Sequence, residues 1–160
     1  MLFLALSPQS GTPLLEPQEI LAKVSAQGAQ KTVAEMTSGD GESWKSAMQK
    51  IQSGSPRWLT VASALREGSD AVQSEALAHA LSYALIAAPS SVLPMLGEEF
   101  PVQKVCTVPD AEPTDEYVRQ QIEKAKTALG RVNGTSLTAK RDACLRSFTE
   151  LETKVSAQHP

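Results

Sequence analysis

A net charge of −3 over 160 residues speaks against a surface built chiefly for nucleic acid, because phosphate binding needs a concentrated positive field. No apolar run approaches the roughly 20 residues needed to span a bilayer, so no membrane span is expected. With 41% hydrophobic but 4% aromatic residues, Ala and Leu must fill most of the interior, which favours closely packed helices.

Residues 1–15 are expected to lie outside the folded unit, as a disordered arm or a signal-peptide remnant. Met1 to Leu6 is apolar and short, with no basic segment before it, and Pro8, Gly11 and Pro13 follow. Residues 16–157 are expected to form one helical domain. Pro17 suits the first turn of a helix, where its missing N–H costs nothing, and Ile20, Leu21 and Val24 give that helix an apolar stripe ending near Gln27-Gly28. A second helix from Ala29 carries Val33, Ala34 and Met36, and Ser38-Gly39-Asp40-Gly41 breaks the chain.

The stretch from Trp44 to Leu93 organises the chain. Trp44, Ala47, Met48, Ile51 and Gly54 are echoed 14 positions later by Trp58, Val61, Ala62, Leu65 and Gly68. Apolar side chains at i, i+3, i+4 and i+7 form the core-facing stripe of a helix. Each glycine stands where a left-handed C-terminal residue is expected. Asp40 or Ser43 is a cap for the first of these helices, and Ser55-Pro56 opens the second. A longer helix follows from Ser69-Asp70 to Ala88. Its stripe includes Leu77, Leu81 and Leu85, which with Trp44 and Trp58 are the expected structural core.

Pro89 and Pro94 bracket one or two further helical turns. Pro101, Pro109 and Pro113 disfavour continuous helix from Gly97 to Pro113, so this is a proline-rich connector in which Val102 and Val105 form a brief extended piece. Thr114 caps the next helix, whose acidic first turn, Asp115 and Glu116, suits the helix dipole and whose stripe is Val118, Ile122, Ala125 and Leu129. After a turn at 130–134, Ser136 starts the last helix. There Leu137, Cys144 and Leu151 recur by sevens beside Leu145, Phe148 and Val155. The expected fold is all-α, closing on a C-terminal antiparallel helix pair.

Candidate chemistry is sparse. His79, between Leu77 and Leu81, reads as a residue at the polar boundary of its helix or in a satisfied core position, and no G-x-S-x-G elbow, phosphate loop or close cysteine pair occurs. No catalytic, cofactor-binding or metal-binding residue is assigned. Asp110, Glu112, Asp115 and Glu116 cluster around Pro113. Paired carboxylates can do acid–base work, but on a loop and a helix start these read as a solvated acidic rim, the candidate partner-binding residues. Asn133-Gly134-Thr135 has the spacing of a glycosylation acceptor and reads as turn chemistry. Lys124, Lys126, Arg131, Lys140, Arg141 and Arg146 interleave with acids and read as a solvated face.

Cys106 lies in the connector and Cys144 in the last helix. They are either two buried thiols or a bond closing a 38-residue loop, worth about 4 kcal/mol by chain entropy. A bond implies an oxidising compartment, in agreement with the signal-like start.

Trp58-Leu59, Ser69-Asp70-Ala71, the alanine-leucine helix to Pro89 with Val92-Leu93, Val105-Cys106 and Asp142-Ala143-Cys144-Leu145 resemble small exported proteins of Gram-negative bacteria, over about residues 17–150. The resemblance implies a helical periplasmic protein with a Cys106–Cys144 bond, and no particular activity. The stacked helical hairpins are similar in outline to HEAT units, on a repeat far shorter than the HEAT length of about 40. In size, export and helicity the chain also resembles type VI immunity proteins as a class. The expected function is a non-enzymatic module, periplasmic or secreted, that binds an unidentified protein partner as an inhibitor or immunity factor, without a cofactor. The alternative is an enzyme or small-ligand carrier using the groove between the 44–93 helices and the C-terminal pair. A cytoplasmic adaptor with free thiols is the third reading.

Overall fold

The helices Pro17–Gln27, Ala71–Ala87 and Asp115–Gly130 begin where side chains satisfy their first N–H groups. In the computed structural model, which describes residues 15–109 and 113–158, the regular elements are all helical. Helix α1 (Pro17–Gln27) opens on a capping box in which Glu19 reaches back to the Glu16 N–H at 2.7 Å. Helix α2 is Ala29–Thr37 and α3 is Glu42–Ile51. Gly41 holds the cap position of α3, Asp40 accepts from the Glu42 N–H at 3.3 Å, and Ser43 lies inside the helix. Helix α4 (Pro56–Arg66) has Ser55 at its cap position, but the serine contributes its carbonyl, which accepts from the Leu59 N–H at 2.9 Å, and not its side chain.

Helix α5 (Ala71–Ala87) starts on the strongest cap. Asp70 accepts from the N–H groups of Val72 (2.8 Å) and Gln73 (3.0 Å), and Gln73 Oε1 accepts from the Asp70 N–H in return. Its second half buries Leu77, Ala78, Ala80, Leu81, Ser82, Ala84 and Leu85, too many neighbours for a single face. The helix is therefore enclosed: α3 and α4 pack against it, as do α6 (Pro89–Val92), α7 (Val102–Val105) and α8 (Asp115–Gly130). A 3-10 turn (Leu93–Met95) follows α6, and another (Thr135–Leu137) precedes α9 (Thr138–Gln158). Trp44 and Trp58 are both buried, and α3 and α4 pack on each other and on α2.

The two glycines of the doubled pattern are not equivalent. Gly54 is left-handed, with φ +70°. Gly68 is not, and its role is contact: an added Cβ would lie 2.2 Å from the Ala29 carbonyl carbon and the Gln30 nitrogen, where the end of α4 meets the α1–α2 corner. Leu15, expected outside the fold, packs half-buried against the core, while the rest of the 1–15 segment lies outside the described residues.

The connector departs from the expectation of an extended piece at Val102 and Val105, since α7 is helical there. The Lys104 and Val105 N–H groups donate to the Pro101 carbonyl (2.9 and 3.2 Å) and Cys106 to Val102 (2.7 Å). Packing explains the change. Val105 and Cys106 are consecutive and both fully buried, whereas an extended strand would send them to opposite sides.

Helices α8 and α9 run antiparallel, as Lys126 meets Glu152 and Arg141 donates to the Val132 carbonyl at 3.1 Å. Helix α9 begins at Thr138, after the 3-10 turn that contains Ser136. Cys144, Phe148 and Val155 are its buried residues, while Leu137, Leu145 and Leu151 lie at the periphery. Among the described residues no helix is long and apolar enough to cross a membrane.

Candidate functional site

The connector has little secondary structure of its own, yet side chains from three other elements, α4, α5 and α9, fasten it. Arg66 at the end of α4 donates through Nε to the Glu99 carbonyl at 2.9 Å. Lys104 on α7 pairs with Glu75 on α5 at 3.0 Å. Tyr83, two turns further along α5, donates to the Pro109 carbonyl at 3.0 Å and lies 3.4 Å from the Tyr117 hydroxyl of α8. The sulfurs of Cys106 and Cys144 stand at disulfide distance with Cα atoms 5.2 Å apart, both side chains fully buried, so α7 is attached to α9 from beneath. Lys140 of α9 donates to the Pro94 carbonyl at 2.8 Å, just before the connector.

The acidic rim falls at the end of this fastened segment. Asp110 and Glu112 lie outside the described residues. Asp115 and Glu116 form the first turn of α8, where the Thr114 hydroxyl accepts from the Tyr117 N–H at 3.2 Å. Glu116 is exposed and accepts from the Gln120 side chain at 2.8 Å; Asp115 is half-buried.

Beside the connector, a cleft of about 290 Å³ is lined by the charges of Arg66, Glu75, Glu99 and Lys104 together with Ala71 and Ala78. Glu75 lies between two basic groups. The Lys104 ammonium, by its hydrogen bond and its charge, holds the carboxyl below its usual range, and His79, with Nε2 3.4 Å from Oε1, adds to this. His79 thus belongs to a shallow surface with Ala71, Val72 and Ala76, and Val72, 75% exposed, is the one large hydrophobic among the described residues left in solvent. The groove between α5 and α8 is a different place, about 300 Å³, lined by Ile86, Glu123, Lys124, Thr127, Ala128 and Arg131.

Sequence reasoning missed Arg66, Glu75, Tyr83 and Lys104. Each pairs with a group 26 to 34 positions away, and no short-range spacing signals such contacts. Trp44 and Trp58 serve the core, with the Lys50 ammonium 6.0 Å from the Trp58 ring. The buried hydroxyls are likewise structural: Thr32 donates to the Gly28 carbonyl at 2.9 Å and Ser82 to that of Ala78 at 3.0 Å. Among the described residues no group of three or more His, Cys, Asp or Glu side chains is placed to hold a metal ion.

Compared with known protein families, curated proteins and solved structures, the chain matches none.

Proposed function

We propose that the chain is an exported helical module that binds another protein through the connector face, with inhibition or immunity as the form such binding takes. One observation carries this reading: an irregular, proline-bearing segment is fastened to α4, α5 and α9 instead of being left loose. Ordering backbone costs conformational entropy, and the gain is a loop held in one shape for a partner by a rigid scaffold. Asp115 and Glu116 in the first turn of α8, with Asp110 and Glu112 close to them in sequence, make this part of the chain acidic and favour a basic partner. The cysteine pair supports export, because structural disulfides persist in oxidising compartments.

A second reading, an enzyme or small-ligand carrier, has its location in the α5–α8 groove, where Lys124 and Arg131 lie beside Glu123. His79 is not in that groove, so turnover or ligand binding there would depend on Lys124 and Arg131.

The test is cross-linked capture from a native extract with wild type, with a variant carrying Lys at 110, 112, 115 and 116, and with a Lys124→Ala/Arg131→Ala variant. The proposal expects one partner with a basic contact surface, lost at higher salt and from the rim variant, and retained by the groove variant. A partner or ligand held equally by the rim variant and lost from the groove variant would transfer the function to the α5–α8 groove.

A further inference from the structure

We propose that Asn133 is a site of spontaneous modification, at which the native protein deamidates through a succinimide to aspartate and isoaspartate. Asn133 is the only asparagine among the 160 residues, and a glycine follows it. The backbone nitrogen of Gly134 attacks the side-chain amide carbon of Asn133. A C–N bond forms, and the amide nitrogen leaves as ammonia, taking up the proton that the Gly134 nitrogen gives up. Water then opens the five-membered imide. Breaking the bond between nitrogen and the side-chain carbonyl carbon yields aspartate; breaking the bond to the backbone carbonyl carbon yields isoaspartate. Water is the only co-reactant.

The attack needs a bare approach and two unengaged groups, and the structure provides both. Glycine offers no Cβ to obstruct the nitrogen. Asn133 is exposed in the irregular link after α8. Gly134 is extended, with φ −147° and ψ 121°. It is held through its carbonyl, which accepts from the Leu137 N–H at 3.0 Å and the Thr138 hydroxyl at 3.2 Å. Its own N–H and the Asn133 side chain enter no hydrogen bond among the described residues.

A second pair of the same reactive kind, Asp40-Gly41, shows the contrast. There the Gly41 N–H donates to the Ser38 carbonyl at 3.1 Å, and Asp40 Oδ1 accepts from the Glu42 N–H at 3.3 Å. Both the nucleophile and the carboxyl are engaged, so the fold protects Asp40 and leaves Asn133 open. The consequence is local: a new carboxylate appears two positions from Arg131, and isoaspartate lengthens the backbone between α8 and the helix that carries Cys144.

The experiment follows peptide masses over time at mildly alkaline pH, separating aspartate from isoaspartate, for the native protein, the denatured protein and a Gly134→Ala variant. That variant should fold, because its φ is open to any residue and an added Cβ meets only Leu137 at 3.9 Å. The expected result is conversion of native Asn133 to both products within about tenfold of the denatured rate, slowed about tenfold or more by Gly134→Ala. Native Asp40 should isomerise far more slowly than denatured Asp40. Native Asn133 staying intact while denatured Asn133 converts would overturn the proposal. So would a Gly134→Ala variant that converts as fast as wild type, or a glycan already occupying the Asn133 amide.

Discussion

Gly68 shows how one residue can hold a role that its spacing misattributes. Its place ten positions after Trp58 matches that of Gly54 after Trp44, yet only Gly54 uses the left-handed conformation. At Gly68 the absent side chain lets the end of α4 touch the α1–α2 corner, a contact between residues far apart in the chain. Gly68→Ala should therefore destabilise by at least about 1–3 kcal/mol, the cost of overpacking a tight contact. At Gly130, the last residue of α8, an added Cβ meets nothing within 4 Å, so Gly130→Ala should be neutral or stabilising by up to about 1 kcal/mol. Urea unfolding of the two variants checks the pair; equal effects would mean the close approach is not real. The tryptophans were legible, since each heads an apolar stripe. Trp58→Ala should cost about 3–5 kcal/mol in the same assay.

At the scale of elements, helices α1 to α5, α8 and α9 were readable because each carries a periodic stripe and begins at a local signal, such as Asp70 or Thr114. The connector was not, because its conformation is set from outside. Gln103 and Lys104 tolerate helix well, but four residues carry no periodic stripe; the turn forms because both Val105 and Cys106 find space under α5 and α9. The Lys104–Glu75 attachment of that turn, like the Lys23–Glu35 pair between α1 and α2, also predicts a pH response. Glu75 and Glu35 are held below the usual carboxylate range by Lys104 and Lys23 respectively. Their folded values are depressed, so their stabilisation is complete above the unfolded carboxylate range of about 4 and is lost as pH falls through the folded values. A Lys104→Met variant should accordingly lose less in melting temperature than wild type between about pH 6 and pH 3. An unchanged pH profile would show that the Lys104–Glu75 bond does not persist in solution.

For the whole molecule, one helix and one covalent link account for the arrangement. From Leu77 onward α5 is packed by α3, α4, α6, α7 and α8, so it joins α3 and α4 on the N-terminal side to α8 on the C-terminal side. The Cys106–Cys144 pair adds a link from the connector to α9, and closing a 38-residue loop is worth up to about 4 kcal/mol by chain entropy. Thiol labelling of the denatured, unreduced protein should find no free cysteine, and reduction should lower the melting temperature. The function attributed to the connector face depends on that segment being firm in solution, which amide hydrogen exchange reads residue by residue. The Lys104, Val105 and Cys106 amides, bonded to the carbonyls of Pro101 and Val102, should exchange slowly in the oxidised protein, and reduction should release them while the buried half of α5 stays protected. Exchange of these three amides at the rate of an unprotected loop in the oxidised protein would contradict the account.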